Sequence, residues 1–431
     1  NPFGEQFNLN GFQIPGTEEG EIKKKRKIGK VILDKSFMNI FAARFMGNFV
    51  EVFDQPGGTQ VELAFPRELE LFLAGTLTQD ISYFIHIQAE APEISGLGPG
   101  EGEEAEAEAE AEAEGGGGEG GGGGEDGFAE TGPEFVLGRS FFVFNLGTMT
   151  GISSAYNDPI VIGPMLRIGL IDPSTFFSFP TERHYIKPTP GRVKGGRLTR
   201  FTLASYAIAS KFYGMKTAGG NSVEVTSEVL YNGESYGIDL TTRIGPLLFQ
   251  TGIMQGLDDD PRDVNSKKDP YVMLRFDFGG SGFFYGHVSA FANWGVDTGM
   301  IDDHLINWFR NGFGARFRIK HLDIYGAYIQ DKIELEHTPS SPFDVDASGL
   351  TVEADYLITD QTMLVARYNQ MDAGGFVQHK TDGENMTLMV RYYIRDNLGI
   401  YVGGTRNLKA VNKNPIRNYR NLYVLGVDWD W

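Results

Sequence analysis

Along much of this chain, apolar residues recur at every second position. In Asn421–Trp431, the residues Tyr423, Leu425, Val427, Trp429 and Trp431 share one parity, and Val424, Gly426, Asp428 and Asp430 share the other. A β-strand turns successive side chains to opposite faces, so the segment predicts a strand with one greasy row and one polar row. The pattern repeats upstream. Val272, Leu274, Phe276 and Phe278 alternate with Arg275 and Asp277, and Phe313, Ala315, Phe317 and Ile319 with Arg316, Arg318 and Lys320. Leu322 and Ile324 flank Asp323, while Val352, Ala354, Tyr356 and Ile358 oppose Glu353 and Asp355. Leu364, Ala366 and Tyr368 oppose Arg367, and Met386, Leu388, Val390, Tyr392 and Ile394 oppose Arg391 and Arg395. Nearer the start, Ile81, Tyr83, Ile85 and Ile87 alternate with Ser82, Phe84, His86 and Gln88. Gln79-Asp80, Asn232-Gly233, Gly279 to Gly282 and Asp396-Asn397 mark turns between such runs.

Soluble sandwiches alternate too, but they rarely place Arg, Asp and Glu in the middle of long strands with bulky aromatics towards the ends of the opposite row. A polar interior and a lipid-facing exterior call for that arrangement, and lipid allows only a closed sheet. The expected fold class is all-β, a transmembrane antiparallel up-and-down β-barrel of about 18 strands, within a range of 16–20. No run of 18 apolar residues predicts a helical span. Mean hydropathy is −0.24, as expected when only alternate residues of a spanning strand must be apolar. A final strand ending on an aromatic residue resembles the closing strand of bacterial outer-membrane β-barrel porins. That resemblance implies a location in the bacterial outer membrane and a channel function. Trp294, Tyr356, Tyr392, Trp429 and Trp431 are then the expected membrane-interface aromatics. Arg275, Asp277, Arg316, Arg318, Asp323, Glu353, Asp355, Arg367, Arg391 and Arg395 are the expected pore-lining residues, with Asp239 on the same kind of row. Opposed acidic and basic sides would bias ion selectivity; paired across strands, the same residues would instead stiffen the wall.

Two stretches interrupt the pattern. Residues 90–133 contain Glu-Ala repeats from Glu104 to Glu114 and then a glycine-rich run. Like charge at this density, together with glycine, predicts a flexible loop able to act as an anionic tether for cations or a basic partner. Residues 171–198 carry several prolines and the basic cluster His184, Lys187, Arg192, Lys194 and Arg197. A loop of this kind folded into a lumen would favour anions. The expected organisation is an N-terminal periplasmic or lumen segment over 1–36, followed by a barrel over 37–431 broken by these loops. The formal charge is −19, and twelve acidic residues with no Lys or Arg fall within 101–130. The acidity is mostly a property of that one loop, and it argues against nucleic-acid binding. The run Lys23 to Lys27 predicts a solvated turn or a docking point for an acidic partner or lipid phosphate. The chain begins at Asn1 without Met, so a processed or trimmed N-terminus is expected.

Pro2-Phe3-Gly4, Phe7 and Leu9-Asn10-Gly11-Phe12 carry a second resemblance. Asn1 to Gly16 resembles the segment that follows the haem-binding motif in fused cytochrome–porin outer-membrane proteins of the iron-oxidase type. The resemblance implies an alternative function, the barrel sheath of a conduit for electron transfer with a c-type cytochrome. The chain departs from that family in having no cysteine and no haem attachment motif. No cofactor is expected in this chain, and haem enters only through a partner or an upstream segment. The seven histidines show no metal-ligand spacing and no HExxH, and no catalytic constellation emerges, so a non-enzymatic protein is expected. Expected partners are outer-membrane lipid and small solutes or ions, with a second copy of the chain as a further candidate.

Overall fold

The computed structural model describes residues 26–28, 31–33, 41–55, 58–78, 80–90, 134–150, 161–171, 235–255, 268–279, 284–298, 305–335, 343–372, 383–395, 398–408 and 421–430. The short strands β1 (Arg26–Ile28) and β2 (Val31–Leu33) pair with each other, antiparallel. The first barrel strands are β3 (Phe41–Gln55), β4 (Gly58–Thr78), β5 (Ile81–Glu90), β6 (Glu134–Asn145) and β7 (Val161–Ile171), with a one-turn helix, Leu146–Met149, after β6. Then come β8 (Ser235–Ile244), β9 (Leu247–Met254), β10 (Asp269–Gly279), β11 (Phe284–Thr298), β12 (Leu305–Ile319) and β13 (Leu322–Leu335). The last are β14 (Phe343–Thr359), β15 (Thr362–Asp372), β16 (Gly383–Arg395), β17 (Leu398–Asn407) and β18 (Asn421–Asp430).

Strands β3 to β18 form one closed antiparallel barrel of sixteen strands, each paired with its sequence neighbours, and β18 pairs with β3 to complete the ring. Sixteen lies within the range expected from the sequence. Every ladder hydrogen bond finds a partner strand this way, as a sheet surrounded by hydrocarbon requires. At one end of the barrel the connections are tight. Gly245 (φ 56°) helps turn β8 into β9, and Lys320 (φ 51°) helps turn β12 into β13. Both sit in the left-handed region that two-residue hairpin loops need. The breaks at 91–133 and 172–234 separate strands at the other end.

The alternation read from sequence becomes an inside and an outside. On β10, Asp269, Tyr271, Met273, Arg275 and Asp277 are buried, while Leu274 and Phe276 are exposed. On β18, Leu422, Val424 and Asp428 are buried, whereas Tyr423, Leu425 and Trp429 are exposed. A surface of exposed Leu, Ile, Val and Phe running round the barrel is not one that water favours; it suits an apolar solvent. The buried row is less uniformly polar than expected. It includes the apolar clusters Met363, Val365, Met389, Tyr401, Leu422 and Val424, and Leu248, Met273, Phe291, Ala327 and Ile329. A third contains Phe141, Val143, Met165, Ile171, Met254 and Tyr271. Charge singles out inner positions in a sequence, but an aliphatic residue on that parity looks the same as one facing outwards.

Candidate functional site

The inner wall is where charged side chains collect. Of the ten residues expected there, Arg275, Asp277, Arg316, Glu353, Asp355, Arg367 and Arg391 are buried. On β10, Arg275 donates from Nε to Asp277 Oδ1 (2.7 Å) and from Nη2 to the Tyr285 hydroxyl (2.7 Å). Arg243 on β8 approaches the other Asp277 oxygen at 3.3 Å. Arg316 on β12 donates to Asp323 on β13 (Nε to Oδ1, 2.8 Å). Glu353 and Arg367 lie opposite each other on β14 and β15, and Arg367 Nε donates to Glu353. Asp355 lies in register between Asp323 and Val365. Arg318 is half-buried beside Asp323, and Arg395 is exposed at the end of β16, past a register shift. Acids and bases therefore sit together along the same stretches of wall, paired as Arg275–Asp277, Arg316–Asp323, Arg367–Glu353 and Arg391–Asp428.

Tyr271, Tyr401 and Arg391 each make a hydrogen bond that skips a strand and passes over a glycine. Tyr271 on β10 reaches across Gly252 on β9 to donate to Asp239 on β8 (2.6 Å). A Cβ on Gly252 would lie 2.8 Å from the Tyr271 ring and 2.6 Å from Asp239 Cβ. Tyr401 on β17 crosses Gly426 on β18 to reach Asn48 on β3 (2.6 Å). Arg391 on β16 leans over Gly399 on β17 to Asp428 on β18 (2.5 Å), and a Cβ there would sit 2.7 Å from its Nε. A glycine missing its side chain in the middle of a strand weakens that strand, and here the gap is filled by a long neighbour. Gly426→Ala is expected to cost about 1–3 kcal/mol, because the new methyl would fall on the Tyr401 ring and 2.6 Å from Asn48 Oδ1. Urea unfolding in lipid vesicles measures it, and the cost should largely vanish in a Tyr401→Ala background. An equal cost in both backgrounds would show that the methyl clashes elsewhere.

Two networks grow from these crossings. The first joins five strands: Arg167 on β7 forms a forked pair with Asp239 (Nε to both oxygens, 2.9 Å) and rests over Phe141 on β6 at 5.1 Å. Gln250 on β9 adds hydrogen bonds to Asp239 and to the Tyr271 hydroxyl, both 3.2 Å. The second runs through the β18–β3 junction. Asp428 takes Arg391 on one side and Arg44 on the other (3.6 Å), Arg44 reaches Glu70 at 3.4 Å, and His86 stands 3.5 Å from Glu70. Sequence reasoning named Asp239 but missed Arg167, Gln250, Tyr271, Arg44 and Glu70. Arg167 left one signal, as a lone charge in the apolar stretch Val161–Ile171.

Trp294, Tyr356, Tyr392 and Trp429 are all on the outer row and exposed (42–47%). Trp431, the sixteen-residue segment Asn1 to Gly16, the acidic stretch 91–133 and the basic cluster between His184 and Arg197 lie outside the described residues, as does the Asn232-Gly233 turn. No metal-holding group of His, Asp or Glu occurs among the described residues.

No protein-family model matches the chain, and no curated protein matches it in sequence. Solved structures do share its fold. The anion-selective porin from Comamonas acidovorans aligns over 91% of this chain and 98% of its own, with 11% identity and a TM-score of 0.50. The outer membrane channel DcaP of Acinetobacter baumannii aligns over 91% of this chain and 96% of its own, with 9% identity and a TM-score of 0.50. At such identities the likeness is one of architecture, and the chain shares the closed-barrel fold of bacterial outer-membrane porins.

Proposed function

We propose that this protein is a channel of the bacterial outer membrane that lets small hydrophilic solutes or ions diffuse passively, without an enzymatic step. The observation that carries the reading is the closed sixteen-strand ring with an apolar exposed outer row and charged residues on the inner one. Barrels of this strand number are wide enough to hold an aqueous path. Trp294, Tyr356, Tyr392 and Trp429 would lie at the headgroup levels, and the ten acidic and basic residues expected from the sequence would line or brace the path. The end with tight turns would face the periplasm and the other end the exterior. The conduit alternative rests on Asn1 to Gly16, and neither the described residues nor the comparisons add support to it.

The test is ion conductance of the purified protein in a planar bilayer, with the reversal potential read across a salt gradient. Acids and bases pair on the described wall, so the acidic segment that attaches at the outer end after β5 should set the ion preference. A cation preference at low salt is expected. It should fade near 1 M salt, where the screening length is about 3 Å, and should disappear on deleting residues 101–130. A protein that inserts but conducts nothing would remove the channel reading.

A further inference from the structure

Towards the tight-turn end of the barrel, the inner row meets water again. Glu353 and Asn369, further along the wall, are fully buried. The side chains of Arg243 and Asp323, close to the turns, keep 21% and 16% of their surface, and Arg318 is half-buried. Arginines outnumber carboxylates here. Arg243 on β8 and Arg275 on β10 share Asp277, at 3.3 Å and 2.7 Å. Arg316 on β12 donates to both oxygens of Asp323, from Nε (2.8 Å) and Nη2 (2.5 Å). Asp355, next to Asp323 in register on β14, is buried. Arg318 follows Arg316 on the same face of β12, in register with Tyr285 on one side and Asp323 on the other. Asp323 is already occupied by Arg316, and the Tyr285 hydroxyl accepts from Arg275. Among the described residues, Arg318 has no hydrogen-bond or ion-pair partner.

Resting on the channel reading and orientation given above, we propose that Arg318 is an anion-binding point at the periplasmic mouth, taking small carboxylates or phosphates that enter from that side. A guanidinium presents its N–H donors in a flat fork that matches two oxygens of a carboxylate or phosphate. Its neighbours spend that fork on aspartates; Arg318 does not. Half-burial removes part of the competing water and leaves the group within reach of a solute. Four arginines, Arg243, Arg275, Arg316 and Arg318, face three carboxylates, Asp277, Asp323 and Asp355. The surplus positive charge draws an anion to this mouth.

The experiment exploits the absence of cysteine from the chain. Block of the reconstituted channel by inorganic phosphate is read for the parent and for Arg318→Cys, before and after methanethiosulfonate reagents are added on each side. Phosphate should block the parent from the tight-turn side. Arg318→Cys should bind it about threefold to tenfold more weakly, the worth of one hydrogen bond. A trimethylammonium-bearing reagent should restore part of the binding, and a sulfonate-bearing one should not. Arg406 is exposed on the outer row at the opposite end, in register with Met386, so Arg406→Cys should leave phosphate block at the parent's level. Heat-dependent gel mobility like the parent's shows that a variant is folded. A parent channel that phosphate does not block, unchanged block in Arg318→Cys, or an equal loss in Arg406→Cys overturns the proposal. So does a cysteine at 318 that neither reagent modifies. If the parent carries no current at all, the channel reading fails. Broadening of the phosphate 31P line by the detergent-solubilised barrel, parent against Arg318→Cys, then decides the binding point separately.

Discussion

Asp239→Asn is expected to lower the unfolding free energy by about 3–5 kcal/mol. The change keeps the shape of the side chain and removes its charge. Arg167, 3% exposed and forked onto both carboxylate oxygens, would be left as a buried cation without its counter-ion. The Tyr271 hydroxyl and Gln250 amide also converge on this carboxylate, so an Asn amide group set among donors would leave at least one of them unmet. The double substitution Arg167→Met/Asp239→Leu should recover most of the loss, because replacing both members of a buried pair by apolar residues is often neutral or better. The wall there already carries Phe141, Val143 and Met165 to pack against. Reversible urea unfolding in lipid vesicles measures both. A loss below about 1 kcal/mol for Asp239→Asn would mean that water reaches Arg167 freely.

The second large effect lies on the outside. Leu388→Arg should cost about 2–4 kcal/mol in a bilayer, the range for a cation at the midplane of a lipid-facing wall. Leu388 is half exposed on the outer row of β16, between Tyr392 towards one end and Glu384 towards the other. On a water-facing surface the same change would be close to neutral. Comparing the variant in vesicles whose hydrocarbon is thick or thin separates the two environments, since a thinner bilayer brings the midplane nearer to water. Equal stability of parent and variant in every bilayer would show that this face does not meet lipid.

The sequence disclosed parity well. Tyr423, Leu425 and Trp429 point out, and Arg275, Glu353 and Arg367 point in, as alternation required. Charge was the guide, and it failed where charge was absent. Leu422 and Val424 share a row with Asp428, yet pack into an apolar cluster that no one-strand pattern separates from an outer row. The strand-skipping contacts were illegible for another reason. That Tyr401 passes over Gly426 to Asn48 depends on the register of three strands, two of them at opposite ends of the chain. A mid-strand glycine reads as a weakness until the neighbour that fills it is known. The sixteen strands fall inside the range of 16–20 read from the alternation.

The ring closes through β18 and β3, whose paired residues Asn421 and Asp54 stand 367 positions apart. Every other pairing joins strands consecutive in sequence. Fifteen of the sixteen seams can thus form as the chain is delivered, and the sixteenth waits for the final strand. Without it, two sheet edges would present bare amides and carbonyls to hydrocarbon, at several kcal/mol for each group. Losing β18 would therefore do more than shorten the molecule by one strand. It would turn a stable object into an adhesive one, with two edges ready to pair with any strand that passes. The contact of Asp428 with Arg44, and that of Tyr401 with Asn48 across Gly426, work as a latch on the seam between β18 and β3.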